Sequence, residues 1–421
     1  MVLPIIEEIL ENGFPAWVPQ WVRDPWLAFQ VAAVVGTLWF LKAYSGGITN
    51  SAEMKMHGKV VMITGGTSGI GAVVTKELAQ RGSQIVLLTR LPPSNPFLAD
   101  YIGDLRQQTK NQMIYAEQVD LTSLHSIRQF ATKWIDNAPP RRLDMLILCA
   151  ATLTPPGQKR TQTAEGIEET WMVNYLANFH LLSILSPALR AQPFDRDVRV
   201  ILPTCSSYIS SPPLSEALDR KKWTPTTAYA RSKLALMVFG QAFQKHLDAY
   251  KRPDQLPMNA RVIFVDPGYT RTLGMRRWLT RGSLWGLLLY LAAYALPWLF
   301  LKSPEMGAQS VLYAAMESTL RREPGGRLIK ECREVDFART DVKSEEIAKK
   351  LWEHSDGLIE KTEKEQAALR AQEKKLQEAR EKERAEREKV GEIDALVDTI
   401  KRGKEAENKK KSSRRKGKKA P

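Results

Sequence analysis

Cysteine is scarce: Cys149, Cys205 and Cys332 are the three in 421 residues. That excludes a disulfide framework and fits a reducing compartment. None has metal-ligand spacing. Histidine is hardly commoner, and His57, His125, His180 and His354 are scattered, so no metal site is expected. A basic cluster is missing ahead of the first apolar run, where Glu7, Glu8 and Glu11 stand instead. A cleavable secretory signal is therefore not expected. The charged C-terminal stretch lacks interleaved aromatics, so base stacking and nucleic-acid binding are not expected either.

What is present is ample apolar material and an uneven positive charge. The hydrophobic fraction of 43% supports a packed core. Net charge is +15, and residues 361–421 hold 21 Lys and Arg against 13 Asp and Glu. More than half the excess thus lies at one end, where an anionic membrane face is a suitable partner.

Two long runs lack charge. "WLAFQVAAVVGTLWFL", Trp26 to Leu41, is bounded by tryptophans and followed by Lys42, so a membrane anchor over about 26–44 is expected within an N-terminal segment 1–50. "LWGLLLYLAAYALPWLFL", Leu284 to Leu301, contains Pro297, which interrupts a continuous helix. Arg276, Arg277, Arg281 and Lys302 flank it, as befits a headgroup layer, and an interfacial or re-entrant segment is expected rather than a span or a core helix. Between and around these runs, β-branched strands alternate with amphipathic helices, the pattern of a parallel α/β sheet. From 345 to 400 the chain reads as a solvated charged helix, and 401–421 as a basic disordered tail. Glu383 breaks the seven-residue step of Leu369, Leu376 and Val390, so a stable coiled coil is doubtful.

Two local patterns carry chemistry. Gly65, Thr67, Ser68, Gly69, Ile70 and Gly71 form a glycine-rich turn between a strand and a helix, where backbone N–H groups can cradle a pyrophosphate. The second strand, "QIVLLTR", ends without the carboxylate that would bind the ribose 2′-OH of NAD. Arg90 can instead pair with a 2′-phosphate, which points to NADP(H). Asp120 ends the third strand beside the expected adenine. Further on, "TAYARSKLAL" puts Tyr229 and Lys233 one helical turn apart. An ammonium beside a phenol is expected to lower its pKa toward neutrality and suit it to proton exchange at a carbonyl or alcohol.

With "VDLTS", "TAEGIEETWMVNYLANFHLL", "VDPGYTRT", "SPEMGAQSVLYAAM" and "GGRLIKECRE" in order, the chain resembles the short-chain dehydrogenases/reductases over about 55–337, and their retinol-dehydrogenase-like branch most closely. The resemblance extends to fungal membrane and lipid-droplet members. It implies a Rossmann-type, doubly wound parallel sheet, a membrane helix before it and a charged tail after it. It implies Tyr229 as acid/base, Lys233 as its tuner and ribose contact, and Asn174 as support for a proton-relay water. A serine at the end of the fifth strand would bond the reacting oxygen. Aligning "CSSY" selects Ser207, with Ser206 the alternative because "PT" disturbs the register. Pro267 and Gly268 would pass beside the nicotinamide and Thr272 would bond its carboxamide; Thr270 is less securely placed.

One departure from the family's pattern stands out. Leu148-Cys149-Ala150-Ala151 replaces Asn-Asn-Ala-Gly, which puts strand packing or cofactor affinity in question. Cys149 and Cys205 read as small core residues rather than redox sensors. The reading expected is an NADP(H)-dependent oxidoreductase of a lipophilic alcohol or carbonyl, at the endoplasmic reticulum or a lipid droplet, with its catalytic domain in the cytosol. A homodimer is compatible with it. A 3-keto-lipid or sterol reductase and a non-catalytic NADP-binding scaffold are the alternatives.

Overall fold

The structure is a computed structural model that describes residues 24–139, 141–214 and 223–416. The first 23 residues of the expected N-terminal segment and the last five of the expected tail lie outside the described residues. The chain divides into a compact unit, Met1–Ile359, and a second unit, Glu360–Pro421.

Helix α1 (Pro25–Gly46) opens the described chain, its N-terminus capped by the Asp24 carboxylate, which accepts from Trp26 N at 3.0 Å. Strand β1 (Val60–Thr64) and helix α2 (Gly69–Gln80) follow, then β2 (Gln84–Thr89), α3 (Pro96–Thr109), β3 (Ile114–Gln118), α4 (Leu124–Ile135) and β4 (Met145–Leu148). After a π-helical turn at Met172–Leu176 come α5 (Ala177–Arg190), β5 (Val198–Pro203), α6 (Pro225–Asp248) and β6 (Ala260–Asp266). Short helices α7 (Leu273–Leu279), α8 (Leu284–Ala292) and α9 (Ala295–Phe300) precede α10 (Pro304–Met316), β7 (Arg327–Lys330) and β8 (Arg333–Val335).

All eight strands form one sheet in the order β3-β2-β1-β4-β5-β6-β7-β8. Every pairing is parallel except β7 with β8 at the edge. Because successive side chains point to opposite faces, each central strand feeds two cores. Val61 and Ile63 of β1 join Val74 and Leu78 of α2 and Val311 of α10 on one face. Val60 and Met62 join Ile127 of α4, Leu182 of α5 and Leu234 of α6 on the other. The order reverses between β1 and β4, the switch point at which a crevice opens beyond the strand ends.

The apolar run 284–301 forms no long helix. It breaks at Ala293–Tyr294, and Pro297 sits in the first turn of α9, where its missing N–H costs no bond. Most of it faces outward: Leu284 and Trp285 are 85% and 82% exposed, and only Tyr290 and Leu299 are buried. It meets α1, since Lys42 Nζ donates to the Trp298 carbonyl and Ser45 Oγ to that of Leu299, both at 2.5 Å.

The final helix, α11 (Glu345–Lys416), corrects two expectations. It continues through 401–416, expected to be disordered, because Lys, Arg, Glu and Ala are good helix formers and no proline intervenes before Pro421. Its start is not a solvated face. Leu351 and Ile359 are buried, Trp352 packs edge-on against Phe179 with ring centroids 5.2 Å apart, and Ser355 Oγ lies 2.7 Å from the Tyr175 hydroxyl. Within the second unit, Leu369 and Leu376 are exposed.

Candidate active site

A cleft of about 1720 Å³ opens over the ends of the parallel strands. The β1–α2 turn forms one wall. Gly65 has φ +68° and Gly69 φ +56°, conformations that favour glycine. A Cβ on Gly65 would lie 2.8 Å from Ala150 N, and one on Gly71 would lie 2.2 Å from the Gly65 carbonyl. Only glycine fits either place. Ser68 at the N-cap of α2 makes no side-chain cap bond, so the first N–H groups of the helix face the cleft as an anion site. A cradle this close to bare backbone fits a dinucleotide pyrophosphate. Thr67 and Ile70 line it too, and Thr272, two hundred residues on by sequence, closes on it: a Cβ at Gly69 would stand 3.2 Å from the Thr272 methyl.

The adenosine end is built by residues of β2, β3 and α3. Arg90, exposed just after β2, lines the cleft, as does Asp120. The Asp120 carboxylate is engaged locally, accepting from Thr122 N at 2.9 Å and from Thr122 Oγ1 at 2.7 Å. Tyr101, which the sequence did not single out, donates from its hydroxyl to the Gly66 carbonyl at 2.9 Å and props the glycine turn. Lone aromatics on helices carry no sequence signal for such a role.

The chemical end lies where β5, β6 and α6 converge. Helix α6 begins with a capping box between Thr224 and Thr227 and carries Tyr229 and Lys233 into the cleft. The buried Lys233 ammonium donates to the Pro203 carbonyl at 3.0 Å and stands 5.7 Å from the centre of the Tyr229 ring. The expected lowering of the phenol pKa is corrected. Burial pushes Tyr229 well above the usual tyrosine range, and the neighbouring Cys205 and Asp266 add to the rise. Burial draws Lys233 down, against the pull of Cys205, Cys149 and Asp266. Lys233 is spent on a carbonyl, and Cys205 and Asp266 oppose ionisation of the phenol.

Three small side chains follow β5. Pro203 stays in the strand opposite Val265, Thr204 N continues the ladder to the Val265 carbonyl at 2.7 Å, and Cys205 is the first residue beyond it. The Cys205 thiol lines the cleft together with Tyr229 and is one cause of its raised pKa. Ser207 is one step behind, its Oγ 2.7 Å from Cys205 Sγ. Ser206 turns to the sheet, donating to Asp266 Oδ2 at 2.6 Å and accepting from Lys330 Nζ at 3.0 Å. All three line the cleft with Tyr229. The register needed to see this depends on pairing with β6, which the local sequence does not encode.

Asn174 does not line the cleft. It lies fully buried in the π-turn, a feature common at functional sites, with Oδ1 accepting from Thr152 N at 2.7 Å and Nδ2 donating to the Thr152 carbonyl at 3.0 Å. Nδ2 also donates to Ser232 Oγ at 3.1 Å, and Ser232 Oγ in turn donates to the Tyr229 carbonyl at 2.8 Å. Asn174 thus fastens the chain after β4 to the helix of Tyr229. Pro267 and Gly268 form the lip after β6; Gly268 has φ +74° and its N–H donates to Asp266 Oδ1 at 2.9 Å. Thr270 is buried, donating to the Gly268 carbonyl at 3.3 Å. In the altered segment after β4, burial pushes the Cys149 thiol up to about 12, which disfavours its thiolate. Ala150 N donates to Thr64 Oγ1 at 3.2 Å, which ties β4 to β1 where the usual Asn is missing.

Residues 59–281 match the family model described as short chain dehydrogenase. An uncharacterized oxidoreductase of Schizosaccharomyces pombe, pbr1, is 41% identical over 86% of this chain and 97% of its own length. Retinol dehydrogenase 13 of Mus musculus is 31% identical over 78% of this chain and 92% of its own. Polyprenol dehydrogenase of the same species is 30% identical over 77% and 90%.

Proposed function

The chain belongs to the short-chain dehydrogenase family, in its retinol-dehydrogenase-like branch, and from that we propose a membrane-associated, NADP(H)-dependent oxidoreductase of a lipophilic alcohol or carbonyl. What carries this reading is the continuity of the cleft. It runs from the glycine turn, past Tyr229, to an apolar rim that includes Tyr44 in the last turn of α1, Ile48 beyond it, Trp278 and Leu279 of α7, and Phe300 and Leu301. An oily substrate has apolar side chains to meet on its way to the phenol, while the dinucleotide takes the end at the glycine turn.

The residues divide the work accordingly. The N–H groups of α2 and the bare backbone of Gly65, Gly69 and Gly71 hold the pyrophosphate. Arg90 pairs with the 2′-phosphate, a charge-assisted contact that no carboxylate on β2 opposes. Bound NADP(H) supplies or receives the hydride. Tyr229 exchanges a proton with the substrate oxygen, and its phenol, protonated at neutral pH, is ready to donate one to a carbonyl. Lys233 holds the end of β5 against α6. Pro267, Gly268 and Thr272 shape the wall on the nicotinamide side.

Membrane association rests on two surfaces. Among the described residues, the helix Trp26–Gly46 is long and apolar enough to cross a bilayer, and none of it is buried. The exposed Leu284, Trp285, Leu288 and Leu289 of α8 offer a second apolar face, and an exposed apolar patch marks contact with a membrane or partner. Helix α10 and strand β7 after it return to the same sheet as Tyr229, so segment 284–301 dips into lipid without crossing. Placement at the endoplasmic reticulum or a lipid droplet, with the catalytic domain in the cytosol, follows this reading.

The test compares the lipids of cells carrying wild type with those carrying Tyr229→Phe, alongside NADPH and NADH titrations of the purified full chain. A ketone, aldehyde or alcohol that accumulates only with Tyr229→Phe, and tighter binding of NADPH, are expected. An unchanged lipid profile, or equal affinity for both dinucleotides, overturns the corresponding part.

A further inference from the structure

Just past the apolar run 284–301, the chain is stitched to the lip of the cleft. Lys302 N donates to the Tyr269 carbonyl at 2.9 Å, and Arg271 N donates to the Lys302 carbonyl at 2.8 Å. The Lys302 side chain is buried between two glycines of positive φ. A Cβ on Gly268 would stand 3.0 Å from its Nζ, and one on Gly47, the residue that ends α1, would stand 2.9 Å from its Cε. The ammonium donates to the Pro267 carbonyl at 3.4 Å and pairs with the Glu331 carboxylate.

Glu331 meets it from a disfavoured backbone. It and Cys332 form the two-residue turn between β7 and β8, with φ +51° and +54°. Asn-Gly suits such a turn, whereas a glutamate and a cysteine pay for positive φ, a cost that concentrates where side chains are needed. Both reach the same residue beyond α1. Glu331 Oε2 accepts from Ile48 N at 3.1 Å, and the Cys332 thiol donates to the Ile48 carbonyl at 3.7 Å. One buried ion pair therefore joins the lip after β6, the return of the run 284–301 and the end of α1. Gly47, Ile48, Pro267, Gly268, Lys302 and Glu331 all line the cleft.

We infer that Lys302 and Glu331 are positioning residues that hold the Pro267–Gly268 lip against the end of α1, so that the nicotinamide end of the dinucleotide site is fastened to the membrane helix. The inference rests on the oxidoreductase reading above, in which that lip flanks the nicotinamide, and deepens it. Neither residue takes part in the chemistry. A buried ammonium deprived of its carboxylate is costly to keep, so the lip holds its shape only while the pair is intact. The adenosine end is built by β2, β3 and α3 and does not lean on the pair.

The test uses the purified full chain in phosphatidylcholine vesicles, as wild type, Lys302→Met, Glu331→Gly and the double variant. Two probes are titrated: NADPH, and adenosine 2′,5′-bisphosphate, which has the 2′-phosphate but no nicotinamide. Each single variant should weaken NADPH roughly fivefold or more, and the double variant no more than the worse single, as for two residues acting through one contact. Adenosine 2′,5′-bisphosphate should bind all four proteins within about twofold. The double variant guards against misfolding, because it leaves no unpaired charge and gives the turn a glycine; its melting temperature should stay within a few degrees of wild type. In the double variant, hydrogen exchange at the Ile48 amide should rise at least tenfold while that of β1 stays slow. Equal weakening of both probes would mean that the pair merely supports the fold, and unchanged NADPH affinity would mean that it does not set the lip; either result overturns the inference. Unchanged protection at Ile48 overturns the fastening to α1. If wild type itself binds no NADPH, the oxidoreductase reading fails and this inference falls with it.

Discussion

Strand β1 and helix α8 are similarly apolar and are treated in opposite ways. All five residues of "VVMIT" are buried, whereas Leu284, Trp285, Leu288, Leu289 and Leu291 of "LWGLLLYLA" are exposed. Composition does not separate them; partners do. Every face of β1 has a helix to cover it, and burial at about 25 cal/mol per Å² stabilises the fold. Helix α8 has no such cover across most of its surface, and on the proposed reading lipid supplies it. The comparison teaches that an apolar run declares its need for a dry environment, while the topology around it decides who supplies it.

The sharpest test of this contrast places a charge in each region. Ile63→Asp puts an unpaired carboxylate where residue exposure is 0%, and should prevent folding, at a cost of several kcal/mol. Leu288→Asp with Leu289→Asp should leave the melting temperature within a few degrees and release the α1-deleted protein from liposomes in flotation. If the α1-deleted parent ignores liposomes, the two regions differ only in exposure and segment 284–301 is no membrane face.

The next largest effect separates chemistry from surface. Tyr229→Phe should cut turnover about 100-fold or more, since it removes a general acid/base, while NADPH affinity and flotation stay as in wild type. Activity within threefold of wild type sinks the assignment. Arg90→Ala should weaken NADPH by about 1.5–3 kcal/mol, roughly 10- to 150-fold, and NADH hardly at all. Equal weakening in fluorescence titration would show that Arg90 does not read the 2′-phosphate.

The pH profile carries a smaller, directional effect. Because burial raises the Tyr229 phenol, it stays protonated below its folded pKa, above the usual tyrosine range. Carbonyl reduction should therefore be flat from pH 6 to about pH 10 and fall only as pH rises through that pKa, while alcohol oxidation, which needs phenolate, climbs throughout. A step near pH 7 that disappears in Tyr229→Phe would show that the phenol is lowered after all. The smallest effect concerns α11. Ending the chain after Gln366 should shift stability by less than about 1 kcal/mol, whereas ending it after Ser344 removes Leu351, Trp352 and Ile359 and should cost several. Equal melting temperatures for the two truncations would break the distinction between the docked and the solvated part of that helix.

Much of this was legible in the chain. The alternation of β-branched strands with helices anticipates the parallel sheet, because a strand buried on both faces must be apolar throughout. The spacing of Gly65, Gly69 and Gly71 anticipates the cradle, because a turn that tight tolerates nothing else. Tyr229 and Lys233 sit one turn apart on α6 as their spacing requires. What was not legible depends on long-range pairing. Cys205 takes its place only because Pro203 and Thr204 continue the register with β6. The raised phenol reflects burial among residues from β5 and β6, against which a Tyr–Lys spacing says nothing. The docking of α11 was hidden because Leu351, Trp352 and Ile359 are diluted among charges, although Leu351 and Ile359 lie two turns apart on one face.

The end of α1 has a consequence for kinetics. Ala43, Tyr44 and Ser45 line the cleft, and Lys42 and Ser45 are bonded to α9, so the helix proposed to sit in lipid stops at the cleft's own rim. On that reading, the reactant is counted per area of leaflet rather than per volume of buffer. Doubling inert phospholipid at constant substrate should halve the rate below saturation, a surface dilution that a water-facing reductase would not feel.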